Sequence, residues 1–229
     1  VLLYCPGMRR LLVCVIAAVP LLTVACGGDG SGSTGRIQAI GAESQYADVI
    51  SQIGGQHVDV TSILSNPNTD PHTYEASPRV AQEVSAADLI VQNGAGYDAF
   101  MQTIESASAN SSRTVLVAQQ LLGLPDNTPN PHLWYAPDTM PTVARAIEAA
   151  LATLQPANAA YFQTQLTAFD SSMAPWLNAI SLFKARYPNT PVATTEPVAD
   201  YLLQAMGMDN LTPFRFQADV MNGVDPAPC

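Results

Sequence analysis

From Arg36 onward the apolar positions keep changing period. "RIQAIGA" reads as a short strand, and "HVDVTSIL" alternates apolar with polar as a half-buried strand does. Between them "ESQYADVISQIGG" places Tyr46, Val49, Ile50 and Ile53 on one helical face and closes on Gly54 and Gly55. Ser77 and Pro78 supply an N-cap and a first helical position for "PRVAQEVSAA". "DLIVQNG" is a buried-type strand, "YDAFMQTIESAS" a helix and "TVLVAQ" a further strand, followed by the Pro/Asn-rich loop "LLGLPDNTPNPHLWYAP". Strands alternating with helices of this length predict right-handed βαβ units on a parallel sheet.

After Asp138, an expected N-cap, the pattern becomes helical. Met140, Val143, Ile147, Leu151 and Leu154 mark one apolar face. Phe162, Leu166, Phe169, Met173, Trp176, Ile180 and Phe183 then continue at close to a 3.5 spacing, which predicts a helix long enough to cross a domain. Pro175 lies inside this run and is expected to kink or split it. "TPVATTE" returns to strand and "PVADYLLQAMGM" to helix, so a second α/β unit starts near Asn189. The predicted fold class is α/β: two βα lobes with parallel sheets joined by a long helix, the second lobe incomplete. The expected division is a first lobe over residues 36–155, the linking helix over 156–187 and the start of a second lobe over 188–229.

Composition adds an affordable core, at 48% hydrophobic residues, and argues against one class of partner. A net charge of −10 and a single lysine, Lys184, leave no basic face for nucleic acid. "MRRLLVCVIAAVPLLTVAC" has a basic start at Arg9 and Arg10, an apolar run from Leu11 to Val24, and then Cys26. That is a secretory leader over residues 1–26, too short and wrongly flanked for a comfortable membrane span. Its end, "LTVAC", resembles a bacterial lipobox with Thr23 where leucine is usual, which makes Cys26 the expected lipidation site. "GGDGSGSTG", residues 27–35, reads as a flexible tether. Cys5 and Cys14 fall in the leader and Cys229 is the last residue, so neither a disulfide framework nor a cysteine-based metal site is expected in the mature chain. Removal of Arg9 and Arg10 takes the net charge from −10 to −12.

Candidate chemistry falls at strand ends. His72 lies in the loop after the second predicted strand, His132 in the loop after the fourth, and Glu196 at the end of the first strand of the second unit. Ligands of open α/β sheets bind outside the carboxyl ends of strands, so three metal-competent side chains from two lobes can converge on one cleft. Their separations of 60 and 64 residues suit one ligand per βα segment rather than a local finger. His57 in "GGQHVDV" is read as a turn histidine, Asp70 and Glu75 as capping or orienting the His72 loop, and Trp134 and Tyr135 as packing.

"TDPHTYEASPR", "NPHLWYAPDTM" and "FRFQADVMNGVDPAP" occur in this order, and with them the chain resembles the cluster A-I solute-binding proteins of bacterial zinc and manganese ABC importers. The resemblance spans about Arg36 to Pro228; Ala136 departs from it, standing where many relatives have aspartate. It implies two α/β lobes on one rigid helix with the metal between them. It also implies histidine ligands at His72 and His132, a third at Glu196, and a fourth acidic ligand further on. Imidazole suits zinc and carboxylate suits harder ions, so Zn²⁺ and Mn²⁺ both remain open. The implied function is extracytoplasmic capture of the metal and delivery to an ABC permease and its ATPase by a monomer held to the membrane only through lipid. A surface adhesin that also binds metal is the alternative. A zinc hydrolase is disfavoured: no His-Glu-x-x-His helix, Gly-x-Ser-x-Gly elbow or phosphate loop is present, and the chain is read as non-enzymatic. Because the family continues past the position of Cys229, the chain is expected to be a truncated form with impaired metal retention.

Overall fold

The computed structural model describes residues 35–66, 68, 69, 71 and 74–226. The leader, Cys26, Asp70, His72 and Cys229 lie outside the described residues.

Four parallel strands, β1 (Ile37–Glu43), β2 (Val58–Leu64), β3 (Leu89–Gln92) and β4 (Thr114–Val117), form one sheet in the order β2-β1-β3-β4. Alternation along the strands builds a core on each face, because successive side chains point to opposite sides. Ile37, Ala39, Leu89 and Val91 join one buried cluster, while Ile40, Ala42 and Ile90 join the other. The first face is covered by α1 (Ser44–Gly54), α5 (Thr139–Leu154) and the start of α6 (Ala159–Arg186). The second carries α2 (Pro78–Ala86) and α3 (Ala99–Ala107). A parallel sheet buried on both faces is what the near-continuous apolar run of β3 requires. Gly41 in β1 lets α1 approach, since a Cβ there would collide with the backbone of Ala47.

Helix α6 is anchored by Phe162, Leu166 and Phe169 near its start and by Ile180 further on. It runs 28 residues through Pro175 without a break, contrary to the expected split. The helix loses the bond to the Ser171 carbonyl, but Ser171 and Pro175 are both exposed, so that carbonyl is left open to solvent rather than buried. Among the described residues no helix is long and apolar enough to cross a membrane.

Beyond α6, β5 (Pro191–Val192) pairs in parallel with β6 (Asp209–Asn210), with α7 (Asp200–Ala205) between them and α8 (Phe214–Met221) after. This is the mixed α/β class with parallel sheets and a long helix that the pattern predicts. The boundaries differ in detail. Glu43 ends β1 rather than starting α1, and β4 stops at Val117, where the short α4 (Ala118–Leu121) begins. "TPVATTE" gives only two strand residues, and α7 is shorter than the apolar pattern suggested. Both β6 and α8 go beyond the predicted elements; Asp209–Asn210 is too short and polar to read as a strand. Ser77 does cap α2, accepting from the Val80 N–H at 3.4 Å. Asp138 does not cap α5: its backbone is already helical and its side chain makes no cap bond.

Candidate metal centre

The loop after β4 is pinned from below by a buried polar network. Asn93, fully buried at the end of β3, donates through Nδ2 to the Pro131 carbonyl at 2.8 Å and accepts the Tyr46 hydroxyl at 2.7 Å. Asp98 in turn accepts the Asn93 and Gly94 N–H groups at 2.6 and 3.0 Å. Thr139 Oγ1 donates to the Leu133 carbonyl at 2.6 Å, closing the other side of the loop. A loop between proline residues, with few ladder bonds of its own, needs such side-chain anchors to satisfy its backbone.

His132 is buried in this loop, 8% exposed, with ring contacts to Tyr97 and Trp134 at centroid separations of 5.9 and 5.4 Å. Its Nδ1 lies 2.9 Å from Asn130 Oδ1, which also accepts the His132 backbone N–H at 3.1 Å. Trp134 packs on Tyr97 at 4.9 Å, in keeping with a packing role.

Glu196 lies in the segment between β5 and α7 and is exposed. The neighbouring Pro197 is buried, and its carbonyl accepts Asn130 Nδ2 at 2.8 Å. The Glu196 carbonyl accepts Gln217 Nε2 at 3.1 Å. Gln217 on α8, 1% exposed, also donates to Thr194 Oγ1 and Asp200 Oδ1 at 2.8 and 3.1 Å, which clamps the segment at three points. The fold thus brings the His132 and Glu196 segments side by side. His72 lies outside the described residues. Among the described residues no three His, Cys, Asp or Glu side chains gather closely enough to hold a metal. His57 stands apart, edge-on to Tyr161 and Phe162 at 4.7 and 5.8 Å, and Glu75 is exposed.

Sequence reasoning passed over Asn130, Gln217 and a buried acid pair. Asn130 had a detectable signal, an amide two residues before a candidate histidine; Gln217 had only its place within "FRFQADV". The acid pair is Glu43 and Asp98, 2% and 4% exposed. Glu43 helps line a polar cavity of about 410 Å³ at the carboxyl ends of β1 and β2, with Ser44, Ser65, Asn66, Thr69 and Tyr97 among its walls. Burial first, and the nearby Asp98 charge second, hold the Glu43 carboxyl well above the usual carboxylate range. Burial raises Asp98 as well, while the N–H groups of Gly94 and Asn93 oppose that shift.

For both acids the folded chain binds protons more tightly than the unfolded chain. Their stabilising contribution is therefore complete below the unfolded carboxylate pKa and is lost as pH rises through the folded one. Glu43→Gln is neutral at every pH, close to isosteric, and removes the titrating group. Its melting temperature is expected to fall less than that of wild type between about pH 5 and about pH 8. Parallel melting-temperature profiles for the two proteins would show that folding does not raise the Glu43 carboxyl.

The sequence profile described as "ZnuA: Zinc-uptake complex component A periplasmic" matches residues 42–226. The manganese-binding lipoprotein MntA of Bacillus subtilis is 27% identical over 167 residues, which are 68% of this chain and 53% of MntA. The zinc-binding protein TroA of Treponema pallidum is 25% identical over 172 residues, 72% of this chain and 56% of TroA. The chain therefore spans little more than half the length of these two curated relatives. Among solved structures, the Ni²⁺ complex of the SBP FpvC from P. aeruginosa superposes with a TM-score of 0.69 at 23% identity, covering 84% of this chain and 70% of that one. Zn(II)-bound AdcA from Streptococcus pneumoniae gives 0.66 at 15% identity, covering 77% of this chain and 39% of that one. At these identities the likeness establishes the fold.

Proposed function

The chain belongs to the family of zinc-uptake complex component A, described as periplasmic, and on that premise we propose that it captures a divalent transition metal, Zn²⁺ or Mn²⁺, outside the cytoplasm for delivery to an ABC importer. The profile match over residues 42–226, which reaches strands of both sheets, carries this reading. It is supported by relatives named as manganese- and zinc-binding proteins and as substrate-binding lipoproteins of manganese ABC transporters. His72, His132 and Glu196 are the proposed ligands: two imidazoles for a borderline-soft ion and one carboxylate for charge compensation. The partners are an ABC permease with its ATPase.

Isothermal titration of the chelator-treated protein with zinc chloride and manganese chloride tests the proposal. Saturable binding of one ion per chain is expected for at least one metal. Absence of binding for both would overturn the function.

The proposed location is the outer face of the cell membrane, with a lipid on Cys26 as the anchor. Each buried methylene of an acyl chain contributes about 0.8 kcal/mol, and two chains retain a protein stably. Wild type should fractionate with membranes and Cys26→Ser should be released; equal partition of both would refute the anchor.

A further inference from the structure

We infer that Asn130 is a positioning residue: its amide sets the tautomer of His132 and fastens that histidine to the segment bearing Glu196. The inference rests on the proposed metal site for its consequence, but its geometry stands independently.

The orientation of the Asn130 amide is dictated by backbone groups that have no choice of role. The Pro197 carbonyl only accepts, so the atom 2.8 Å from it is the Nδ2 donor. The His132 backbone N–H only donates, so the atom 3.1 Å from it is the Oδ1 acceptor. Both requirements select the same orientation. His132 Nδ1 lies 2.9 Å from that same Oδ1, an attractive distance only when Nδ1 carries a hydrogen. The neutral ring therefore holds its proton on Nδ1 and presents a lone pair at Nε2, the form in which an imidazole coordinates a metal through Nε2. Asn130 is 6% exposed, so water does not compete for these bonds.

Residue 130 also carries hydrogen bonds between the two sheet regions. Its side chain donates to Pro197, and its carbonyl accepts the Tyr201 hydroxyl of α7 at 2.8 Å. Among the described residues, both hydrogen bonds between the loop after β4 and the segment after β5 run through Asn130. Gln217 clamps the far side of that segment, and Asn93 holds the Pro131 carbonyl. A pull on His132 is passed through one amide to the residue next to Glu196. An outer partner of this kind typically changes metal affinity about 10–100-fold when removed.

The test pairs Asn130→Leu, which removes both bonds of the amide, with Asn130→Asp, which keeps an acceptor for Nδ1 but loses the donor to Pro197. Ring ¹⁵N shifts are recorded at a pH well above the ordinary histidine range, with His132→Gln used to assign the signals. Wild type and Asn130→Asp should show Nδ1 protonated and Nε2 unprotonated, whereas Asn130→Leu should shift toward the Nε2–H form. Zinc and manganese affinity should fall about 10–100-fold in Asn130→Leu and less in Asn130→Asp. A proton on Nε2 in wild type overturns the inference, even if Asn130→Leu fails to fold. So does a folded Asn130→Leu with wild-type shifts and wild-type affinity. If wild type has the expected tautomer but binds neither ion, the metal reading fails while the tautomer assignment stands.

Discussion

Replacing Glu196 by alanine should weaken zinc or manganese binding by at least about 100-fold, beyond the loss typical of an outer partner, while leaving the melting temperature nearly unchanged. Glu196 is exposed, so its removal creates no cavity in the core. The clamp on its segment uses its backbone carbonyl, which alanine retains. His132→Ala should cost as much affinity, but also some stability, because it leaves a hole beside Tyr97 and Trp134 and deprives Asn130 Oδ1 of one donor. His72→Ala completes the set. The measurement is isothermal titration with both ions, beside thermal melting of the apo proteins. Wild-type affinity in Glu196→Ala and in His72→Ala would show that the metal is held elsewhere, whatever His132→Ala does.

The other large effect is on stability. Phe162 is fully buried near the start of α6, in the same core cluster as Val58, Leu151 and Ile53. Truncation of such a side chain costs about 3–5 kcal/mol, from lost transfer energy and the cavity left behind. For a folded unit of this size each kcal/mol lowers the midpoint by about 2–4 °C, so Phe162→Ala should melt roughly 10 °C lower. Trp176 is larger but 36% exposed on the same helix, and Trp176→Ala should cost clearly less. Differential scanning calorimetry of the two variants decides the matter. If Trp176→Ala melts as low as Phe162→Ala, the far half of α6 is packed as tightly as its start, and the burial described above is wrong.

Much of the fold was legible because its signals are local. The strand patterns around β1 to β4 and the helical spacing from Tyr46 to Ile53 depend on neighbours within a few residues, as does the Ser77–Pro78 start of α2. Where local rules failed, a global condition had overridden them. Pro175 does not break α6, and the helix there faces solvent, so the carbonyl without a partner is not buried. Asp138 looked like a cap, but the chain enters α5 through a turn that ties the Thr139 N–H to the Ala136 carbonyl at 3.0 Å. Two-residue strands such as β6 carry no period to read.

The candidate site divides in the same way. His72, His132 and Glu196 were marked by residue type and by their place after predicted strands, which needs only chain order. The strand order β2-β1-β3-β4 was not available from that pattern. Nor was the meeting of Asn130 with Pro197, 67 residues apart, or the closure of Gln217 onto the Glu196 carbonyl. The buried pairing of Glu43 with Asp98 belongs with these, since their charges count only once water is excluded from both. The sequence by itself determined which side chains are chemically able to act and which faces of the elements turn inward, because periodicity and chemistry are properties of short stretches. Only the tertiary structure decided which of them meet, which stay dry and which amide orients which histidine, because those depend on contacts between residues far apart in the chain.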